Sequence, residues 1–195
     1  MTSRFRRPEA DARVTQAMAR VPRERFLPAD QVAWAAQDRP LPIGRGQTNS
    51  QPSTVATMLW LLDVQPGQRV LDVGAGSGWT TALLADLVGP AGEVIGVELE
   101  PDLVAPARRN LAATDQPWAR IEPADPDRLG YAAAAPYDRI LVSAMAVEIP
   151  SELSTQLDRV GVMVLPAGGR LVRVVRDVTG ATVDRFGHYR FVPLR

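Results

Sequence analysis

Between Val70 and Trp79 the sequence reads VLDVGAGSGW, an apolar run that breaks into Gly74, Gly76 and Gly78 ahead of a segment of helical composition. Glycine permits positive φ and lets a ligand lie close against the backbone. The N-terminus of a following helix offers unpaired N–H groups. Glu98 closes the next apolar run, 20 residues after Gly78, with Leu99 beside it; a carboxylate there can accept both hydroxyls of a ribose. Two cofactors can use such an arrangement. A dinucleotide site favours G-x-G-x-x-G, but Trp79 occupies the place of the third glycine. The spacing is G-x-G-x-G, with Asp72 two residues before the first glycine. That carboxylate suits the ammonium of a methionine moiety and repels a pyrophosphate. The expected cofactor is S-adenosylmethionine, with S-adenosylhomocysteine as product. Its expected contacts are Asp72, Gly74, Ala75, Gly76, Ser77, Gly78, Glu98 and Leu99. Asp125, after a third apolar run, is placed either to bind the adenine amino group or to cap the loop beside Pro126.

What the chain lacks narrows the chemistry further. Its 22 basic residues are all arginine. Without lysine there is no Schiff base, no Walker A phosphate lysine and no kinase-type lysine. Cysteine is absent and His188 is the only histidine, which argues against triads and metal sites; no metal is expected. The reaction must need little acid–base help. A formal net charge of zero gives no global basic field for nucleic acid. No apolar run reaches the roughly 18 residues of a membrane helix, so no membrane partner is expected. Met1 to Arg13 is polar and Arg-rich without an apolar signal core, and a cytoplasmic location is the expectation.

The elements that must position these residues alternate. Strands are expected at 69–73, 93–98, 119–122 and 138–143, and helices at 79–88, 101–112 and 151–158. Strand–helix alternation predicts a Rossmann-like, doubly wound α/β fold with a mostly parallel sheet. The tail reads as further strands at 160–165, 170–176 and 182–192, with at least one antiparallel strand at the C-terminal side. Before the core, residues 8–20 and the stretch from Pro52 to about Leu62 read as helices. The segment from Asp38 to Pro52 reads as a long, structured loop. At 195 residues one domain is expected, with 1–68 as an N-terminal segment carrying the loop and 69–195 as the core. Trp34, Trp60 and Trp118 read as core or loop packing and not as stacking platforms, and His188 as a surface or edge side chain.

The loop contains QTNSQP at 47–52, after LPIG at 41–44, and here the sequence resembles the protein-L-isoaspartate O-methyltransferase family. The likeness covers roughly residues 14 to 194: VPRERFLP at 21–28, APYDRILVSAMAVEIP at 135–150, Gln156-Leu157 with Pro166, and FVPL at 191–194. Thr-x-Ser-Gln-Pro is specific to that family, whereas many methyltransferases share the glycine loop. This chain departs from the usual pattern in having Ala124-Asp125-Pro126 for Gly-Asp-Gly, and Trp79 where tyrosine is common.

The resemblance implies esterification of the abnormal α-carboxylate of isoaspartyl residues in damaged proteins or peptides, and unassisted closure of the ester to a succinimide. It implies that Ser50 is the active-site serine and that Thr48 and Gln51 lie on the substrate side. It matches Glu98 to the ribose-binding acid and Asp125 to the acid after the third strand. From local sequence alone, Ser50 reads equally as a helix N-cap ahead of Pro52. An alternative substrate is an aspartate of a ribosomal peptide, methylated on the way to an aspartimide. Readings from other classes are an NAD-dependent oxidoreductase and a silent adenosylmethionine-binding module.

Overall fold

The computed structural model describes residues 8–195, with side chains from residue 11 onward; part of the Arg-rich stretch from Met1 to Arg13 lies outside them. The core is a seven-stranded sheet. Its strands are β3 (Arg69–Val73), β4 (Glu93–Glu98), β5 (Ala119–Pro123), β6 (Tyr137–Val142), β7 (Leu157–Ala167), β8 (Arg170–Asp177) and β9 (Gly180–Phe186). Their order is β5-β4-β3-β6-β7-β8-β9. The pairings β3–β4, β4–β5, β3–β6 and β6–β7 are parallel, whereas β7–β8 and β8–β9 are antiparallel. The chain first winds from β3 to one side and then restarts at β6 on the other. That reversal opens a crevice at the carboxyl ends of the strands.

Strand alternation sorts the core into two faces. Val70, Val94, Leu141, Val162 and Val164 face one way. That face is covered by α1 (Pro8–Arg20), α2 (Pro52–Leu62), α3 (Trp79–Val88) and α4 (Pro101–Ala112). Leu71, Val73, Ile95, Ile140, Val142 and Met163 face the other way. Their cover is lighter: the connection between β5 and β6, the short α5 (Ser151–Gln156) and Leu194. α3 is buried nearly all round, from Trp79 to Val88, as suits a helix wedged between sheet and outer helices.

The structure differs from the sequence expectations in three places that bear on the crevice. The segment from Asp38 to Pro52 is not simply a loop: β1 (Leu41–Gly44) and β2 (Gln47–Asn49) pair antiparallel. They join through Arg45 and Gly46, both at positive φ, the combination that matches strand twist in a two-residue turn. Second, α5 ends at Gln156 and β7 starts directly at Leu157. Third, the last strand stops at Phe186 instead of continuing to 192. Gly187, at φ +38, turns the chain away from the ladder. The tail then bonds to Gly169 through Tyr189 N–H and to Met145 through Val192 C=O and Leu194 N–H.

Candidate active site

The crevice holds a cavity of about 380 Å³, within the range of ordinary ligand sites. Its walls come from the carboxyl ends of β3, β4, β5 and β6, from the β1–β2 hairpin, and from the tail at Val192–Arg195. Glu98, Asp125, Asp127 and Glu152 line it against Arg128 and Arg195, so carboxylates outnumber cations. Such a lining favours a cationic ligand over a pyrophosphate.

The glycine loop is shaped as its composition requires. Gly74, Gly76 and Gly78 have φ of +80°, +57° and +89°, where a side chain would be strained. A Cβ on Gly76 would come within 3.2 Å of Ile43 in β1, so the hairpin and the loop meet closely. Glu98 is buried; its two oxygens accept from the amides of Gly76 at 2.7 Å and Glu100 at 2.8 Å. A carboxylate oxygen retains acceptor capacity after one such bond, so ribose hydroxyls can still be received.

Gly74, Ala75, Gly76, Ser77, Glu98, Leu99 and Asp125 all line the cavity. Two residues expected there do not. Gly78 donates its amide to Ala75 C=O and backs onto Ala107, where a Cβ would lie 3.2 Å from the carbonyl oxygen; it shapes the loop and the start of α3. Asp72 is completely buried beneath α3 and its Oδ2 accepts from Thr80 and Thr81. Strand alternation explains this, because Asp72 shares a face with Val70, the face that α3 covers. Its Oδ1 is buried without a hydrogen-bond partner. Burial raises its pKa to about 6 against the two threonine bonds, which pull it down. Asp125 Oδ1 accepts from Asp127 N–H at 2.9 Å, so it closes its own turn while standing at the cavity wall.

The family model described as Protein-L-isoaspartate(D-aspartate) O-methyltransferase matches residues 3–195. This chain belongs to that family. A relative so named from Methanothrix thermoacetophila is 47% identical over 184 residues, 93% of this chain and 87% of its own. One from Methanopyrus kandleri is 50% identical over 188 residues, 93% and 83% of the two chains. A Plasmodium falciparum structure, described as a putative family enzyme in complex with S-adenosyl-L-homocysteine, aligns with TM-score 0.83 and 26% identity over 94% of this chain and 90% of that one. Another solved structure of that name aligns with TM-score 0.86 and 24% identity; this chain spans 63% of its length.

Within this isoaspartate methyltransferase family member, the Thr48–Ser50 stretch runs along the cavity wall. Ser50 is half-buried and is not the helix cap. The N-cap of α2 is Gln51, whose side chain makes no capping hydrogen bond to the helix amides. The amide of Ser53 is instead capped by Asp38 Oδ1 at 2.9 Å, a bond that heads the causes holding the Asp38 carboxyl below its usual range. The Ser50 hydroxyl makes no hydrogen bond among the described residues, which leaves it available to a ligand. Gln51 does not line the cavity: its amide donates to Asp38 and Ser53 at 3.0 Å each. Among the described residues no cluster of histidine, cysteine and carboxylates could hold a metal. No helix there is long and apolar enough to cross a membrane.

Several residues that shape the site went unread in the sequence. Arg23 and Asn49 are buried beside the hairpin, and Gln156 braces the 129–131 segment through Leu129 C=O and Tyr131 N–H. Gln156 belongs to a matched motif, but nothing local marks its partner. Trp34, expected to pack in the core or in a loop, is exposed, with Arg39 over its ring at 5.8 Å. Trp60 and Trp118 pack against the core, and His188 is exposed.

Proposed function

We propose that this chain transfers a methyl group from S-adenosylmethionine to the carboxylate of L-isoaspartyl residues in damaged proteins or peptides. The observation that carries the reading is the joining of the Thr48–Ser50 wall and the glycine loop in one cavity, in a chain of this family. Relatives named for isoaspartate favour repair over tailoring of a dedicated peptide.

The residues fit the cofactor. Positive-φ glycines give it a close backbone cradle, Glu98 suits a ribose, Asp125 suits the adenine side, and the carboxylate-rich wall suits a sulfonium. When bound, S-adenosylmethionine supplies an electrophilic methyl group. The acceptor carboxylate, with a pKa near ~3.9, is ionised at neutral pH; no base has to remove a proton. That agrees with a wall lacking lysine, cysteine and histidine. The protein's task is alignment, worth on the order of 7–11 kcal/mol in well-oriented systems. In this reading Ser50 donates its hydroxyl to one carboxylate oxygen, and Thr48 lies beside it. Gln51 contributes indirectly, by keeping the Asp38 cap in place. The tail at Val192–Arg195 helps exclude water, which strengthens the attraction between unlike charges. The segment up to residue 68 and the core from 69 work as one unit. A chain without cysteine needs no oxidising compartment, and the cytoplasm is the proposed location.

Incubation with an isoaspartyl peptide and methyl-labelled S-adenosylmethionine tests this. A base-labile methyl ester that collapses to a succinimide is the expected product. Labelled peptide that resists base contradicts an ester.

A further inference from the structure

The substrate wall and the cofactor loop are joined by a buried polar bridge. Arg23 Nε donates to Asn49 Oδ1 at 2.7 Å, and Asn49 Nδ2 donates to Ser77 Oγ at 3.1 Å. All three residues are at most 8% exposed. Arg23 is the anchor. Its guanidinium also donates to the carbonyls of Ala35, Gln37, Arg39, Asn49 and Ser50, and it stands 5.6 Å over the Trp79 ring. It has no carboxylate partner in these bonds, and burial lowers its pKa. A buried cation spent on backbone carbonyls fixes chain geometry at a desolvation cost. Asn49 lies between Thr48 and Ser50, and Ser77 lies between Gly76 and Gly78. The bridge therefore links the two segments that the reaction must bring into line.

We propose that Asn49, anchored by Arg23, is a positioning residue that sets the register of Ser50 against the cofactor loop through Ser77. The inference rests on the proposed methyl transfer for its catalytic meaning, and on the bridge alone for its structural one. A ligand held by the glycine loop orders Ser77, and through Asn49 that order reaches residues 47–51. A 1 Å error in such alignment can cost on the order of 10²-fold in rate.

Amide hydrogen exchange of residues 47–51, measured with and without adenosylhomocysteine, tests the coupling without any methyl acceptor. In the native chain the ligand should slow exchange there tenfold or more. At saturating adenosylhomocysteine Asn49→Ala and Ser77→Ala should lose that protection, and the Kd of Asn49→Ala should stay within threefold of native. Ser77→Ala leaves the Arg23–Asn49 bond in place and serves if Asn49→Ala folds poorly. Asn49→Asp should keep the protection, because its carboxylate accepts from both Arg23 and the Ser77 hydroxyl. With peptide substrate, the two alanine variants should lose tenfold or more in kcat, and Asn49→Asp should not. Native protection in folded Asn49→Ala or Ser77→Ala, or a loss of kcat in Asn49→Ala matched by equal loss of ligand affinity, overturns the proposal. A native chain that shows the coupling but makes no ester refutes the methyl-transfer reading and leaves the coupling standing.

Discussion

Glu98 Oε2 accepts the amide of Gly76 at 2.7 Å, so the acid that ends β4 braces the loop that ends β3. One carboxylate thus shapes the cofactor cradle and faces the cavity. Glu98→Ala should weaken adenosylhomocysteine binding tenfold or more, since a hydrogen bond to a charged group is worth about 1.5–3 kcal/mol. Calorimetry checks it. Unchanged affinity, or tight NADH binding with none for adenosylhomocysteine, contradicts the cofactor assignment.

Ser50 and Asp38 make opposite claims. Because Asp38 and not Ser50 caps α2, Asp38→Ala should lower the melting temperature by a few degrees. Ser50→Ala should leave it nearly unchanged and cut kcat/KM by roughly 10- to 150-fold, the loss of one bond to a charged group. Ser50→Thr should keep part of the activity. Thermal melts and steady-state kinetics on both alanine variants decide between the roles; a folded Ser50→Ala with native kcat/KM removes Ser50 from the site.

Asp72 should make stability depend on pH. Its folded pKa, raised to about 6 by burial from an ordinary 3.8, means that the folded state binds its proton more tightly than the unfolded chain does. The stabilisation is complete below pH 3.8 and is lost as pH rises through about 6. Its size is on the order of 3 kcal/mol. Urea unfolding of the native chain and Asp72→Asn from pH 4 to 7 should show the native chain losing ground steadily. A difference between them that does not vary with pH contradicts the buried, protonated state.

Much of this was legible in the sequence where punctuation was strong. β3 and α3 run into Gly74 and Gly89, β4 starts just after Gly92, and α4 starts at Pro101. The hairpin of β1 and β2 was not, because LPIG is only four residues long with Pro and Gly at its exposed positions, and QTN is three polar residues. Most of the cavity-lining loop was readable, since glycines at G-x-G-x-G spacing mark a turn through positive φ that other residues rarely adopt. The direction of Asp72 was not, because it depends on which sheet face α3 covers. Arg23 and Asn49 are 26 positions apart, and nothing local in either segment announces their meeting.

The central claim is that this site esterifies isoaspartate in preference to ordinary aspartate. The two peptides differ only in the position of one methylene, so discrimination must come from a wall fitted to the abnormal backbone path. Rates of labelled methyl transfer to matched isoaspartyl and aspartyl peptides measure it directly. The isoaspartyl peptide should be favoured at least tenfold in kcat/KM, or roughly 1.4 kcal/mol in transition-state binding. Equal rates, or transfer only to the normal aspartyl peptide, would contradict the account.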